Sequence, residues 1–295
     1  MIVTFHPSFH LTNTLIGWFN LIQEGYLHRD ISIGNLVMVE DAITTKAFGI
    51  VKKEDWNTTV EDITKALQDL KIDSSAKATW EDKLTAALRK LRITDKCHGF
   101  LIDGDMAIKM TDYFNKEHPG SCSVRWNVSV GMILICMQGT FQFMSDDILK
   151  AEEYGDDYLQ SPVDDLYSYY YTMQWAAVFH DQGLAAKDAP IQLKRLREYF
   201  LKSRHERSSA TLEIISPSSL DPLEYGSVLA HCQPILRAWY LELQGLKDDW
   251  KKCQSKLRGQ ETKAENYIPL FSTYAARGVA TLADIVHKYT KDMAD

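Results

Sequence analysis

The stretch from Asp164 to Phe179, DDLYSYYYTMQWAAVF, contains no Gly or Pro and is apolar or aromatic at almost every position after its first few residues. A run of this length without breakers is a helix, and a helix that is apolar on nearly all sides has no face to give to water. It must sit at the centre of a domain, so the rest of the chain has to supply its covering. Ser161 and Pro162 just before it, with Asp164 and Asp165 in its first turn, form a start signal of capping and macrodipole. The Tyr169-Tyr170-Tyr171 cluster and Trp175 read as core packing rather than as a cage for a ligand.

The covering elements are also mostly helical. Residues 9 to 27 place Phe9, Leu15, Trp18, Phe19, Leu21, Ile22 and Leu27 at spacings that favour one helical face, with Gly25 as a stop signal. Ile33 to Val39 and Gly99 to Ile102 are short, apolar and suited to strands. Between them lies a helical insertion over about 40–98. Its periodic stretches Val60 to Leu70 and Trp80 to Leu91 are separated by the polar KIDSSAKAT, and it reads as a solvated decoration without a catalytic role. Further helices are expected at 189–203, 226–256 and 279–292, and Ser208 to Pro222 is loop-like. The expected fold is mainly α with a small β component, a single domain over 1–295 whose helical C-terminal part spans 189–295.

Composition removes several function classes. The 33 basic and 40 acidic residues give a formal charge of -7 without a dominant basic stripe, which argues against a nucleic-acid partner. Five cysteines, none in a C-x-x-C pair, do not make a disulfide framework or a zinc site and suit a reducing compartment. No secretory signal opens the chain. The densest apolar run, Val130 to Met137, is far below the roughly 20 residues a membrane-spanning helix needs. His6 and His10 lack a third ligand at suitable spacing. Lys194-Arg195-Arg197 and Lys202-Arg204-Arg207 read as a solvated helix face, with an acidic peptide or phosphate site as the alternative.

Four motifs, in order along the chain, carry chemistry. His28-Arg29-Asp30-Ile31-Ser32-Ile33-Gly34-Asn35 fits H-R-D-x-x-x-x-N, in which the aspartate accepts a hydroxyl proton and the asparagine holds a metal ion. Leu101-Ile102-Asp103-Gly104-Asp105 runs an apolar strand into an acidic turn, as the D-F-G segment does in kinases, with Asp103 as the metal-holding carboxylate. Gly139 to Leu149, GTFQFMSDDIL, looks like G-T-x-x-(F/Y)-M-(A/S)-P-E-x-L, with Asp147 standing for the usual glutamate. Asp165-Leu166-Tyr167-Ser168 resembles the D-x-(W/Y/F)-S start of a central kinase helix. Phosphoryl transfer asks a protein for little covalent chemistry, mostly positioned carboxylates, magnesium and a platform for the hydroxyl substrate.

Together these segments resemble the fungal-type protein kinase family over roughly residues 9 to 200. The resemblance implies a protein-kinase-like C-terminal lobe, with a catalytic loop at 28–35, a metal-binding and activation segment at 103–149 and a core helix at 164–179. It implies a catalytic set of Asp30, Asn35, His28 and Arg29, with Asp30 as base and His28 and Arg29 supporting the loop. Asn35 and Asp103 would hold magnesium and the ATP phosphates. Asp165 would anchor the catalytic loop by hydrogen bonds to its backbone, Thr140 would fix the substrate-side loop, and Asp147 would give structural support.

The pattern departs from a complete kinase in three places. No G-x-G-x-x-G loop and no phosphate lysine precede His28, so an absent N-terminal β lobe and a truncated chain are expected. Ser32 stands where Ser/Thr kinases usually carry lysine. The segment from Asp103 to Asp147 is long and holds the apolar run, which is a buried plug or a translated intron. The expected function is ATP γ-phosphoryl transfer to protein Ser or Thr, in the cytoplasm or nucleus, away from membranes. A pseudokinase-like scaffold for protein partners is the alternative, and a small-molecule kinase is disfavoured by the GTFQFMSDDIL segment.

Overall fold

The computed structural model describes residues 7–44, 75–91, 96–114, 140–156, 158–180, 189–257 and 264–291. The helix expected at Val60 to Leu70, the run Val130 to Met137 and His6 lie outside these residues, as does the side chain of His10. The fold is mainly helical with few strands. Helix α1 (Pro7–Gln23) leads through Gly25, at φ 86°, into strand β1 (Tyr26–Leu27). A positive φ is a conformation that glycine adopts at no steric cost, so the stop falls there. Strand β2 (Leu36–Thr44) pairs antiparallel with β3 (Lys96–Leu101) through a register shift between Met38 and Ile43. β1 pairs antiparallel with the two-residue β4 (Ile108–Lys109). These two small ladders bring residues 28–35 and 102–107 side by side.

The helices that follow are α2 (Ser75–Leu91), α3 (Met110–Phe114), α4 (Asp146–Tyr154), α5 (Pro162–Phe179), α6 (Ile191–Phe200), α7 (Arg204–Ile214), α8 (Pro222–Tyr225), α9 (Ser227–Leu257) and α10 (Ala264–Lys291). α5 is the unbroken apolar segment DDLYSYYYTMQWAAVF with its start at Pro162. Every residue from Pro162 to Gln174 is buried, and α1, α9 and α10 surround it. Tyr170 meets Trp239 of α9 edge-on at 5.7 Å, and the Tyr169 hydroxyl donates to the Thr14 carbonyl of α1 at 2.9 Å. The Tyr170 hydroxyl accepts from Gln174 Nε2 at 3.3 Å, so both of these buried hydroxyls are satisfied inside the core, as buried polar groups must be.

Several readings differ from expectation, among them the strand expected at 33–39, whose first three residues form a 3-10 turn and which runs on to Thr44. α7 takes in Ser208 to Ile214, which the sequence suggested was loop. Its inward stripe is Arg207, Ala210, Thr211 and Ile214, at i, i+3, i+4 and i+7, and two of those four are polar. A hydrophobic pattern cannot show such a face. α10 begins fifteen residues before the expected 279, with Pro269 and Gly278 both inside the helix. α2 is no solvated decoration, since Leu84, Ala87, Leu88 and Leu91 are buried and the helix packs on α10.

At Gly278, α10 lies directly against α5. A Cβ built there would stand 2.2 Å from Leu166 Cδ1 and 3.2 Å from its Cγ, and Leu166 is fully buried. Gly278→Ala should gain roughly 1 kcal/mol of helix propensity. The clash is expected to outweigh it, for a net loss of about 1–3 kcal/mol typical of overpacked cores. A chemical-denaturation midpoint equal to or above the parent's would show that Leu166 can move aside.

Of the basic residues of α6 and α7, Arg207 is buried and Arg195, Arg197 and Arg204 have partners in the fold. Arg195 pairs with Glu213, Arg204 with Glu153 at 2.8 Å and Arg207 with Asp146, while Arg197 donates to the Val178 carbonyl at 2.9 Å. Lys202 lies over the Tyr199 ring at 5.5 Å. Cys232 and Cys253 are buried, and burial pushes both thiols up to about 11, which leaves them inert at neutral pH.

Candidate functional site

Residues 28–35 cross from β1 to β2 as an extended stretch closed by a single 3-10 turn, Ile33–Asn35. The Asn35 N–H donates to the Ser32 carbonyl at 3.0 Å, and the Asn35 carbonyl accepts from the Ile102 N–H at 2.9 Å. The loop is therefore tied to the acidic turn that carries Asp103. Two side chains repeat that tie. His28 is buried with Nε2 3.3 Å from the Ile102 carbonyl, and the Arg29 guanidinium donates to the Met106 carbonyl through Nε at 2.9 Å and Nη2 at 2.7 Å. Burial lowers the His28 pKa from its ordinary value, against the opposing pull of the Ile102 carbonyl and of Asp30 and Asp103. His28 is thus a neutral strut at pH 7.

Asp30 stands at the middle of the loop. Its Oδ1 accepts from the Thr140 backbone N–H at 3.0 Å and faces the Thr140 hydroxyl at 3.4 Å, and its Oδ2 accepts from Asn35 Nδ2 at 3.1 Å. Asn35 Nδ2 also donates to the Asp30 carbonyl at 2.8 Å. The carboxylate is pinned from both sides, by its own loop and by a residue 110 positions away. Asn35 spends its amide nitrogen on Asp30, which leaves its amide oxygen as an acceptor. Asp103 adopts a left-handed backbone, φ 60° and ψ 66°, and its carboxylate is exposed. An amide oxygen and a carboxylate on adjoining, hydrogen-bonded segments are hard oxygen donors of the kind magnesium takes, with phosphate and water completing its shell. Among the described residues no group of three or more His, Cys, Asp or Glu could hold a metal, so a zinc-type cage is not what this pair belongs to.

Two adjacent buried carboxylates at the start of α5 hold the site from below. Asp164 accepts from Ser145 Oγ at 2.6 Å, Tyr158 OH at 2.8 Å, and the Ser161 N–H and hydroxyl at 2.8 and 2.9 Å, so it binds the segment after Thr140 to the helix start. Burial raises its pKa even so. Asp165 accepts from the Trp18 indole N–H at 2.9 Å. Burial raises Asp165 to about 7, and the influences that favour its charge are the Trp18 hydrogen bond and, more weakly, the Arg29 backbone N–H and guanidinium. Asp165 Oδ1 is buried without a hydrogen-bond partner among the described residues.

The structure thus gathers His28, Arg29, Asp30, Asn35, Asp103, Thr140 and Asp165 around one loop. Asp147 is placed elsewhere. It pairs with Lys247 at 3.1 Å and Lys251 at 3.0 Å, fastening α4 to α9. The buried ion pair of this segment is Asp146 with Arg207, which the motif did not reveal. Trp18, Ser145 and Asp164 were also missed as site supports. The doublet Asp146-Asp147 was the signal for that ion pair and the Ser161–Asp164 capping pattern was the local signal for Asp164, whereas Trp18, 147 positions from its partner, had none.

Searches of curated proteins and of solved structures return no match. The model of a family described as fungal protein kinase matches residues 10–177. That span covers more than half of the 295 residues and runs from α1 through loop 28–35, Asp103, Thr140 and nearly all of α5, so the chain belongs to the fungal protein kinase family.

Proposed function

We propose that the chain is a phosphotransferase of the protein kinase type, passing the γ-phosphoryl group of ATP to a serine or threonine hydroxyl of a protein. The observation that carries this reading is the Asp30 carboxylate, pinned by Asn35 on one oxygen and Thr140 on the other. A carboxylate fixed in one orientation is what a hydroxyl needs for proton removal, because the cost of alignment has been met by the fold. In this reading Oδ of Asp30 takes the hydroxyl proton, Asn35 and Asp103 supply oxygens to magnesium, and Arg29 and His28 keep the two segments in register. When bound, magnesium would neutralise phosphate charge and orient the transferred group. Asp165 and Asp164 hold neighbouring segments in place and touch neither reactant.

Ser32 favours a second reading, a pseudokinase-like scaffold for protein partners. It is buried at 5% exposure, and its carbonyl serves the Asn35 turn, so position 32 offers no cation to the phosphoryl group. Calorimetric titration of Mg-ATP into the chain and into Asp103→Asn separates the two. Saturable binding, weakened about tenfold or more in the variant (roughly 1.4 kcal/mol), is expected of the phosphotransferase. Binding too weak to detect in the parent would leave the scaffold standing.

A further inference from the structure

Asp164 is a buried carboxylate of which one oxygen alone serves its own helix. Oδ2 takes the Ser161 N–H at 2.8 Å and the Ser161 hydroxyl at 2.9 Å, the reach-back of a capping box at the start of α5. Oδ1 is not needed for that start. It accepts instead from Ser145 Oγ at 2.6 Å and Tyr158 OH at 2.8 Å, donors 19 and 6 positions away. Ser145 is itself the N-cap of α4, its Oγ accepting from the Ile148 N–H at 3.2 Å. One hydroxyl thus joins the starts of two helices.

The two residues after Ser145 are fastened as well, Asp146 to Arg207 and Ser208 of α7 and Asp147 to Lys247 and Lys251 of α9. Three consecutive residues are bound to three different helices, so the rear of segment 140–145 is fixed. At its front Thr140 is exposed, with its N–H on Asp30 Oδ1 at 3.0 Å. Between the two ends Phe143 is buried edge-on to Trp175 of α5 at 5.5 Å, while Phe141 and Gln142 are half-buried and still meet solvent. A hydroxyl brought to Asp30 must pass the residue that already touches the same carboxylate, so the peptide that carries it lies along 140–142. We propose that Asp164 is a positioning residue for the protein substrate: through Ser145 it sets where segment 140–144 stands against Asp30, and it has no share in holding Mg-ATP.

This deepens the phosphotransferase reading and rests on it for the nature of the substrate. Ser145 and Tyr158 donate to the same oxygen, yet of the two only Ser145 continues into the segment that reaches Asp30. A carboxylate that merely stabilised the fold would feel the loss of either donor alike. A positioning carboxylate acts on the segment through Ser145 alone, and the two donors therefore separate the roles.

Amide hydrogen exchange of a peptide containing residues 140–145, and so the Thr140 N–H, compares Ser145→Ala, Asp164→Asn and Tyr158→Phe. Protection should fall about tenfold or more in Ser145→Ala, as loss of a hydrogen bond to a charged group implies, and as far in Asp164→Asn, whose amide cannot accept from every donor. In Tyr158→Phe it should stay within about twofold of the parent, because the Ser145 bond is intact. Should Asp164→Asn not fold, Ser145→Ala, which leaves Tyr158 and Ser161 on the carboxylate, carries the test. In transfer assays Ser145→Ala should lower kcat/KM for the protein substrate about tenfold with Mg-ATP affinity within about twofold of the parent's, and Tyr158→Phe should change neither. Protection retained in Ser145→Ala, or lost equally in Tyr158→Phe, would overturn the proposal. So would a fall in Mg-ATP affinity that matches the fall in kcat/KM. A parent that transfers no phosphoryl group would fell the phosphotransferase reading instead, and exchange would still decide whether Asp164 positions the segment.

Discussion

Arg207→Ala is expected to destabilise the chain by about 3–5 kcal/mol, the cost of breaking a buried ion pair from one side. Arg207 is 1% exposed, with its guanidinium 4.1 Å over the Tyr171 ring of the core helix. It donates to the Phe141 and Gln142 carbonyls at 3.2 and 3.0 Å and pairs with Asp146. One side chain therefore satisfies three acceptors in the segment that follows Thr140. Alanine would leave two carbonyls and a carboxylate facing the place it vacated, each then short of a partner. Folded proteins are stable by only about 5–15 kcal/mol, so a thermal melt should show the loss as a fall of roughly 6–20 °C. Arg207→Lys keeps the charge but not the planar fork, and should recover only part of it. Pairing Arg207→Met with Asp146→Leu removes both charges and should restore more than either single change. A loss under about 1 kcal/mol in Arg207→Ala would show that water reaches the pair and that it behaves as a surface ion pair.

That prediction could not have been made from the sequence, and the reason is physical. Loop 28–35 was legible because its chemistry needs particular residue types at fixed short spacing, and the turn Ile33–Asn35 can place Asn35 against Asp30 only at that spacing. α5 was legible because it has no polar face to misread. Arg207 does the work of a core residue while looking like a surface one, so α7 was taken for loop and its cations for a solvated face. Pro269 and Gly278 carry the usual sense of breakers, yet Gly278 is where the last helix must come within contact of Leu166. Asp147 and Asp146 are adjacent in an acidic doublet, and only the packing of α7 and α9 decides which meets a buried cation and which meets two lysines. Trp18 and Asp165 lie 147 positions apart, a separation at which no local pattern reports a contact. The local arrangement of the loop was readable, and its long-range supports were not.

On the phosphotransferase reading, Asp30→Asn should lower kcat for transfer to a protein hydroxyl by about 10²–10⁴, the contribution of a positioned general base. The substitution nearly preserves shape. Thr140 N–H can still donate to the amide oxygen in place of Oδ1, but the new amide nitrogen would then face Asn35 Nδ2, a donor against a donor. Loss of the proton acceptor and of that one hydrogen bond are separate effects, and Thr140→Val helps to divide them. Valine keeps the backbone N–H at 3.0 Å and discards only the hydroxyl at 3.4 Å, a contact near the limit of a hydrogen bond. Its cost should be within about 0.5–1.5 kcal/mol, roughly threefold to tenfold in rate. Mg-ATP affinity should stay close to the parent's in both variants, since the metal oxygens belong to Asn35 and Asp103 in this reading. A fall in kcat with affinity unchanged would place the effect of Asp30 on the chemical step. A fall in affinity alone would make Asp30 a support for Asn35, and a parent with measurable transfer whose Asp30→Asn form keeps at least a fifth of the rate would remove Asp30 from the role of base.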